Sequence, residues 1–396
     1  MVIDVHLKLM CERSIRRSIK SYNPDVVVSV HPLMNYVPVV SCHKISAEMD
    51  KHLPMFTVVT DLGSGHCLWF ANEVEKMFIA SDQIRKLAKN RGRVPDEKLV
   101  QSGLPIRHEF AIQAEKLGDR MSKQGKKYQL QIRRNLELND ADNVKTVLVM
   151  GGGEGVGSLS SIVDALYVQL TKMCINATIV VVCGRNERLR LDLAERDWDE
   201  VLERSRPFIN RLGKGFQGIL SNIPFLSVES NGGLSNLITN SPFNPMPDPA
   251  PDALMLVSAQ NPPEKCKTPI MGKVDVVGLG FVSQMAEYMV AADVLITKAG
   301  PGTIAEAAAV GLPVMLTSYL PGQEEGNIDF VVDGGFGLYR TEDSPAAIAE
   351  ELSRWLTDAD KLRAMSSAAM AVGAPNAASD IVSRIGESTL RWRENK

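Results

Sequence analysis

Residues 295–326 read LITKAGPGTIAEAAAVGLPVMLTSYLPGQEEG. A short apolar run, 294–297, enters a turn made of Lys298, Ala299, Gly300, Pro301 and Gly302. A helix-forming run, 303–310, follows from Thr303; Gly311 and Pro313 stop it, and a second apolar run, 314–316, begins. The pattern predicts strand, glycine turn, helix, strand. Glycines let backbone N–H groups approach a ligand closely, and the helix start adds partial positive charge, so the turn suits a diphosphate. Glu306 falls one turn into the helix, where a carboxylate accepts hydrogen bonds from a ribose. The polar loop after the second strand, with Gln323, Glu324, Glu325 and Asn327, offers donors and acceptors for a sugar. By itself a lone GPG turn also reads as an ordinary βαβ unit with a glycine helix stop.

Outward from this stretch the same alternation recurs. An apolar run at 146–150 enters GGGEGVGS at 151–158, which lacks GxGxxG spacing and therefore does not read as a nicotinamide site. A run at 178–182 ends in Cys183, Gly184, Arg185 and Asn186, with a helix expected over 187–204. A run at 274–277 precedes Gly278, Gly280 and Phe281, with a helix over 283–292. Strand-like runs at 26–30, 56–60 and 77–80 alternate with expected helices at 4–21, 36–45 and 82–91. Such alternation argues for parallel sheets covered by helices, with ligands at the carboxyl ends of strands. Two polar constellations occupy such ends: Ser29, His31, Pro32 and Asn35, and Thr60, Asp61, Gly63, Gly65, His66 and Trp69.

Residues 101–105 read as strand and turn, and 106–144 as a charged helical linker. Residues 207–269 are rich in Pro, Asn, Ser and Gly, cannot bury much apolar surface, and read as a disordered insertion. Three helices, 345–357, 360–372 and 377–392, finish the chain. The expected division is a first domain at 1–105, a linker at 106–145, a second domain at 146–375 and a C-terminal helix at 376–396.

The 396 residues suffice for two domains. No run of about 18 apolar residues exists, so no helix is expected to span a membrane. The N-terminus enters an amphipathic helix directly, with no signal peptide expected. The six cysteines show no zinc spacing and read as reduced, mostly packing residues of an intracellular compartment. Residues 1–145 carry 23 Lys and Arg against 17 Asp and Glu; the remainder carries 21 against 30. Arg13, Arg16, Arg17 and Lys20 share a face of the first helix, which is either a solvated side or a contact for anionic lipid headgroups. The DxD-like triplets Asp140/Asp142, Asp197/Asp199 and Asp358/Asp360 read as caps and solvated charges; no metal site is expected.

KAGPGTIAEA, GLPV and PGQEEGN in one run, with SVHPLM (29–34), TVVTDLGSGHCLWF (57–70), SGLPIRHEF (102–110), VLVMGGGEGVG (147–157), VVCGRN (181–186) and FVVDGGFG (330–337), resemble the monogalactosyldiacylglycerol synthase family. These are inverting glycosyltransferases of GT-B fold, related to the N-acetylglucosaminyltransferase of lipid II synthesis. The resemblance implies an α/β protein with two Rossmann-like domains whose parallel sheets face a cleft. It implies UDP-galactose as donor, diacylglycerol and anionic membrane lipids as partners, no nucleic acid, no cofactor, and peripheral attachment to a plastid membrane.

By the same resemblance, Gly151, Gly152, Gly153 and Gly155 lie by the donor diphosphate and Lys298, Gly300, Pro301, Gly302 and Thr303 cover it. Gly280, Phe281 and Val282 hold the uracil, Glu306 the ribose, and Gln323 and Glu324 the galactose, with Arg185 and Asn186 bordering the cleft. His31, Asp61 and Trp69 belong to the acceptor side. The family opens with a βα unit carrying GGGH, whose His is the candidate base. The sequence has no GGGH, so the first domain is expected to lack its first βα unit. His31, His66 and His108 remain; His66 is the substitute base, or a hydrogen-bonding scaffold residue. Three readings follow: a galactolipid-forming transferase, a donor-binding protein without acid–base chemistry, or another UDP-sugar-dependent GT-B enzyme.

Overall fold

The computed structural model describes residues 2–151, 159–205 and 271–394, with side chains from Met10 to Trp392. The insertion expected at 207–269 and the glycines at 152, 153 and 155 lie outside the described residues. The chain forms two compact units, residues 1–197 with 271–396, and residues 198–270.

In the first unit, α1 (Val2–Tyr22), β1 (Val27–Ser29), α2 (Tyr36–Met49), β2 (Met55–Val58), β3 (Lys76–Ile79), α3 (Asp82–Asn90) and β4 (Leu99–Gln101) build a parallel sheet of order β1-β2-β3-β4. Helices α4 (His108–Leu117) and α5 (Lys123–Asn135) follow. Then come β5 (Lys145–Met150), α6 (Leu159–Lys172), β6 (Ala177–Val182) and α7 (Glu187–Glu195). The helix expected over 187–204 breaks at Arg196, whose extended backbone lets its guanidinium reach Asp164 and Ser160 on α6; α8 (Trp198–Arg204) belongs to the second unit.

The chain continues through β7 (Val274–Leu279), α9 (Met285–Ala291), β8 (Val294–Thr297), α10 (Pro301–Ala309), β9 (Val314–Leu316), α11 (Gly326–Asp333) and β10 (Gly337–Tyr339). It closes with α12 (Pro345–Thr357), α13 (Ala359–Val372) and α14 (Ala377–Glu394). The second sheet is parallel, of order β10-β9-β8-β5-β6-β7. Its central strands are apolar on both faces because helices cover both: Val147, Leu148, Val149, Ile179, Val180 and Val181 are all fully buried. Each such side chain contributes about 1.5–3 kcal/mol through burial.

Strand order reverses between β5 and β8. Val149 pairs with Ile296, so the chain leaves both strands side by side, at Gly151 and at Lys298. A crevice outside the carboxyl ends of strands at such a reversal is where doubly wound sheets take ligands.

The expected linker is two helices fastened to the second sheet's unit by buried charge. Arg120 donates to the carbonyls of Met289, Val290, Ala292 and Val310, closing the C-terminal ends of α9 and α10. Arg133 donates to the carbonyls of Ala291 and Val144 and pairs with Asp293. The last helix returns to the first sheet, where Ile381 and Ile385 pack with Phe56, Val58 and Phe78. Of the described cysteines, Cys42 and Cys183 are buried, Cys11 is half-buried, and Cys67 and Cys174 are exposed.

Candidate active site

The glycine turn caps its helix two residues earlier than expected. Gly300 is the N-cap of α10 and Pro301 its first residue, where a missing N–H costs nothing and the fixed φ suits the helix. Gly311, at φ +64, ends it. Gly300 has an ordinary φ of −69, and a Cβ there would meet its neighbours only at 3.7–3.9 Å. At Gly302 a Cβ would meet nothing within 4 Å. Neither backbone strain nor protein packing requires glycine at these positions; room over the turn does. That room lies beside the N–H groups at the start of α10, an arrangement that suits an anion.

Lys298 and Glu324, expected on the phosphates and the sugar, form an ion pair at 2.8 Å. The second Glu324 oxygen accepts the Leu320 N–H, also at 2.8 Å. Gln323 is exposed next to it, and Thr303 is half-buried in the first turn of α10. Glu306 is buried and takes a two-pronged hydrogen bond from Arg107, Nε to Oε1 at 2.8 Å and Nη2 to Oε2 at 3.0 Å. Arg107 was no expected site residue: it lies in sequence on the far side of α4, and only the fold brings it here.

Gly280, Phe281 and Val282 follow β7, and the Phe281 ring is 84% exposed, free to stack on a planar base. Arg185 is exposed in the turn after β6, while Asn186 accepts the Leu189 N–H as the cap of α7. Gly151 is half-buried at the end of β5.

On the first sheet, His31 and His66 have the same local role. Each starts a single 3-10 turn, Pro32–Met34 and Cys67–Trp69, and each accepts a backbone N–H at Nδ1, from Leu33 at 3.3 Å and Leu68 at 3.2 Å. A neutral ring that accepts at Nδ1 carries its proton at Nε2. The Nε2–H of His66 is then a donor, and the ring is arranged as a scaffold and not as the expected base. Asn35 sews the two turns together, donating to Leu68 O and accepting from Thr57.

Trp69 also departs from expectation. It is 1% exposed, so its ring is core and presents no face to an acceptor. Its Nε1 donates to Asp61 at 2.7 Å. Burial pushes the Asp61 carboxyl up, while the Trp69 N–H and a backbone hydrogen bond from His66 hold it down.

The two loops meet. The Gly63 N–H donates to Asn327 Oδ1 at 3.0 Å, and Asn327 Nδ2 donates to the Ala299 carbonyl at 2.9 Å. Ser64 Oγ donates to the Gln323 carbonyl at 2.6 Å. One buried carboxamide therefore spans the loop carrying Asp61 and His66, the loop carrying Gln323 and Glu324, and the glycine turn.

Two parallel-sheet Rossmann-like halves, with a glycine turn at the strand-order reversal of the second, make a GT-B type fold. The crystal structure of Acinetobacter baumannii MurG shares this fold at TM-score 0.52 and 16% identity, covering 96% of this chain and 78% of that one. Residues 3–106 match the family described as monogalactosyldiacylglycerol (MGDG) synthase, and 254–385 the glycosyltransferase family 28 C-terminal domain. The probable monogalactosyldiacylglycerol synthase 2, chloroplastic, of Oryza sativa subsp. indica is 31% identical over 372 residues, covering 93% of this chain and 59% of the relative. Monogalactosyldiacylglycerol synthase 1, chloroplastic, of Arabidopsis thaliana is 29% identical over 375 residues, covering 93% and 53%. The chain is similar to monogalactosyldiacylglycerol synthases, and it spans less than two thirds of the length of these curated relatives.

Proposed function

We propose that this protein transfers galactose from UDP-galactose to 1,2-diacylglycerol with inversion, forming monogalactosyldiacylglycerol. The observation that carries the reading is the Gly63–Asn327–Ala299 bridge, which sets the acceptor-side loop against the donor turn. The family names of the relatives supply the sugar and the lipid. Phe281 stacks on uracil, Glu306 receives the ribose hydroxyls, and Gln323 and Glu324 receive galactose hydroxyls. The acceptor hydroxyl attacks the anomeric carbon from the face opposite UDP, and negative charge grows on the leaving diphosphate. Lys298, the N–H groups of the glycine turn and the start of α10 stabilise that charge where it develops, without a metal. In this cycle the diphosphate and the sugar take over the two partners of the Lys298–Glu324 ion pair.

The reaction takes place at a plastid membrane: the relatives' names say chloroplastic, and a diacylglycerol acceptor lies in a bilayer. Attachment is peripheral: among the described residues no helix is long and apolar enough to cross a membrane, and exposed Arg13 and Arg17 on α1 meet anionic headgroups. The test is labelled UDP-galactose with diacylglycerol in mixed micelles, reading the labelled lipid. Labelled monogalactosyldiacylglycerol that disappears in Lys298→Ala is the expected result. UDP binding with no lipid product under any micelle composition overturns it.

A further inference from the structure

The geometry points to Arg107 as a positioning residue of the ribose site, an inference that rests on the reading of Glu306 as the ribose carboxylate. The argument begins with lone pairs. An ionised carboxylate offers about four acceptor positions, two on each oxygen. The Arg107 fork takes one on each, Nε to Oε1 and Nη2 to Oε2. A two-pronged guanidinium–carboxylate pair fixes the carboxylate plane as well as its position. The remaining pair of acceptor positions, one per oxygen, is what a vicinal diol needs to donate twice.

The guanidinium is itself held. Arg107 is the N-cap residue of α4, in extended conformation, and its guanidinium lies 5.1 Å from the centroid of the buried Phe110 ring. Its side chain is about half exposed, 51%, against 12% for Glu306. The arginine is thus a support reached from the solvent side, and the carboxylate is the buried member. Without the fork, Glu306 keeps its place on α10, but its carboxylate turns freely about the last side-chain bond and meets the diol in a fraction of its rotamers. Arg107 therefore acts on the ribose hydroxyls through Glu306 and leaves the diphosphate and uracil contacts alone.

Calorimetry with UDP and with 2′,3′-dideoxy-UDP separates the possibilities, because the second ligand has lost the diol. The wild type prefers UDP; Glu306→Gln abolishes the preference. Arg107→Ala shrinks it by about tenfold, the scale of one charge-assisted hydrogen bond, while dideoxy-UDP binds as to the wild type. Arg107→Lys, which cannot fork, restores only part. Equal weakening of both ligands in Arg107→Ala, or no change in either, overturns the inference, since the arginine then serves the phosphates, the fold generally or nothing. If Glu306→Gln keeps the preference for UDP, the ribose reading of Glu306 falls first and Arg107 with it. If Glu306→Gln abolishes the preference and Arg107→Ala does not, only the role of Arg107 falls. Should Arg107→Ala lose cooperative unfolding in urea, Arg107→Gln takes its place in the same comparison.

Discussion

Gly63 and Gly326 touch backbone to backbone: a Cβ on Gly63 would overlap the Gly326 carbonyl, and a Cβ on Gly326 would lie 2.7 Å from the Gly63 carbonyl carbon. Neither residue has the positive φ that would favour glycine for conformational reasons. Their identity comes from the approach of two loops that are distant in sequence. Gly63→Ala should force these loops apart, at a cost of about 1–3 kcal/mol in urea unfolding. Galactose transfer should fall much more than UDP affinity, because the turn itself is untouched. Unchanged transfer would show that the loops need not meet for catalysis.

Gly302→Ala should separate folding from binding. The position lies inside α10 with open space around it, so alanine should leave stability equal or raise it by about 0.5–1 kcal/mol. In the proposed donor site, the added methyl group stands between the diphosphate and the N–H groups. UDP affinity should fall by at least about tenfold, or about 1.4 kcal/mol. A variant that is more stable and binds UDP as well as the wild type would remove this turn from the donor site.

Trp69→Phe should carry a pH signature. Burial already raises the Asp61 carboxyl in the folded protein, and the lost indole N–H lowered it, so the variant's carboxyl moves further up. A folded-state pKa above the unfolded value favours folding only while the group is protonated. That contribution is present below the ordinary aspartate range and is lost as pH rises through the folded-state value. The variant's deficit should therefore be largest near neutral pH, about 1–3 kcal/mol, and shrink in acid. Denaturant unfolding across pH reads it, and a deficit that is the same at every pH would mean that packing alone was lost.

Arg120 is fully enclosed, and its burial pushes the guanidinium down to about 10. Its four carbonyl partners have no water to turn to. Arg120→Met keeps much of the volume but takes the guanidinium from the Met289, Val290 and Val310 carbonyls, while Ala292 keeps its Gln129 donor, and should cost about 3 kcal/mol or more in unfolding free energy. Arg120→Lys should rescue only in part, because an ammonium cannot reproduce the fork. A loss under 1 kcal/mol would show that the carbonyls find other donors.

The basic stripe on α1 should divide in two. Arg16 and Lys20 both pair with Glu48 on α2, and Arg16 also pairs with Glu12 at 3.1 Å. Arg13 and Arg17 are exposed. Replacing Arg13 and Arg17 by Gln should weaken co-sedimentation with anionic vesicles at low salt by at most about 1 kcal/mol per charge. The same change at Arg16 and Lys20 should weaken it less and destabilise the α1–α2 pair. Equal effects from both pairs would mean that the whole stripe faces the lipid.

Much of the architecture was already legible in the chain. Apolar runs punctuated by glycine define β5, β6 and β8 because a parallel sheet covered on both faces needs strands apolar on both sides, and such runs are local. The turn at 298–302 and the carboxylate of Glu306 were local signals too, whereas Phe281 entered through the family resemblance and its exposure through the structure. Helix starts were less so: Pro301 sets the first turn of α10, which the apolar pattern placed two residues later.

What the sequence could not determine was decided by partners far along the chain. Arg120 and Arg133 look like linker charge until the carbonyls of Met289, Val290, Ala291, Ala292, Val310 and Val144 and the Asp293 carboxylate are folded around them. Trp69 looks like an aromatic offered to an acceptor until the core of the first sheet encloses it, leaving only its N–H for Asp61. His66 looks like a base until the Leu68 N–H takes its Nδ1. Arg107 and Glu306, 199 positions apart, meet only because the fold packs α4, which Arg107 caps, against α10. Periodicity records which face of an element is apolar; it holds no information on which polar atoms two distant loops will bring within hydrogen-bonding distance. The glycine turn was therefore written in residues 298–302, whereas the acceptor loop's place against it was decided in three dimensions by Gly63, Gly326 and Asn327.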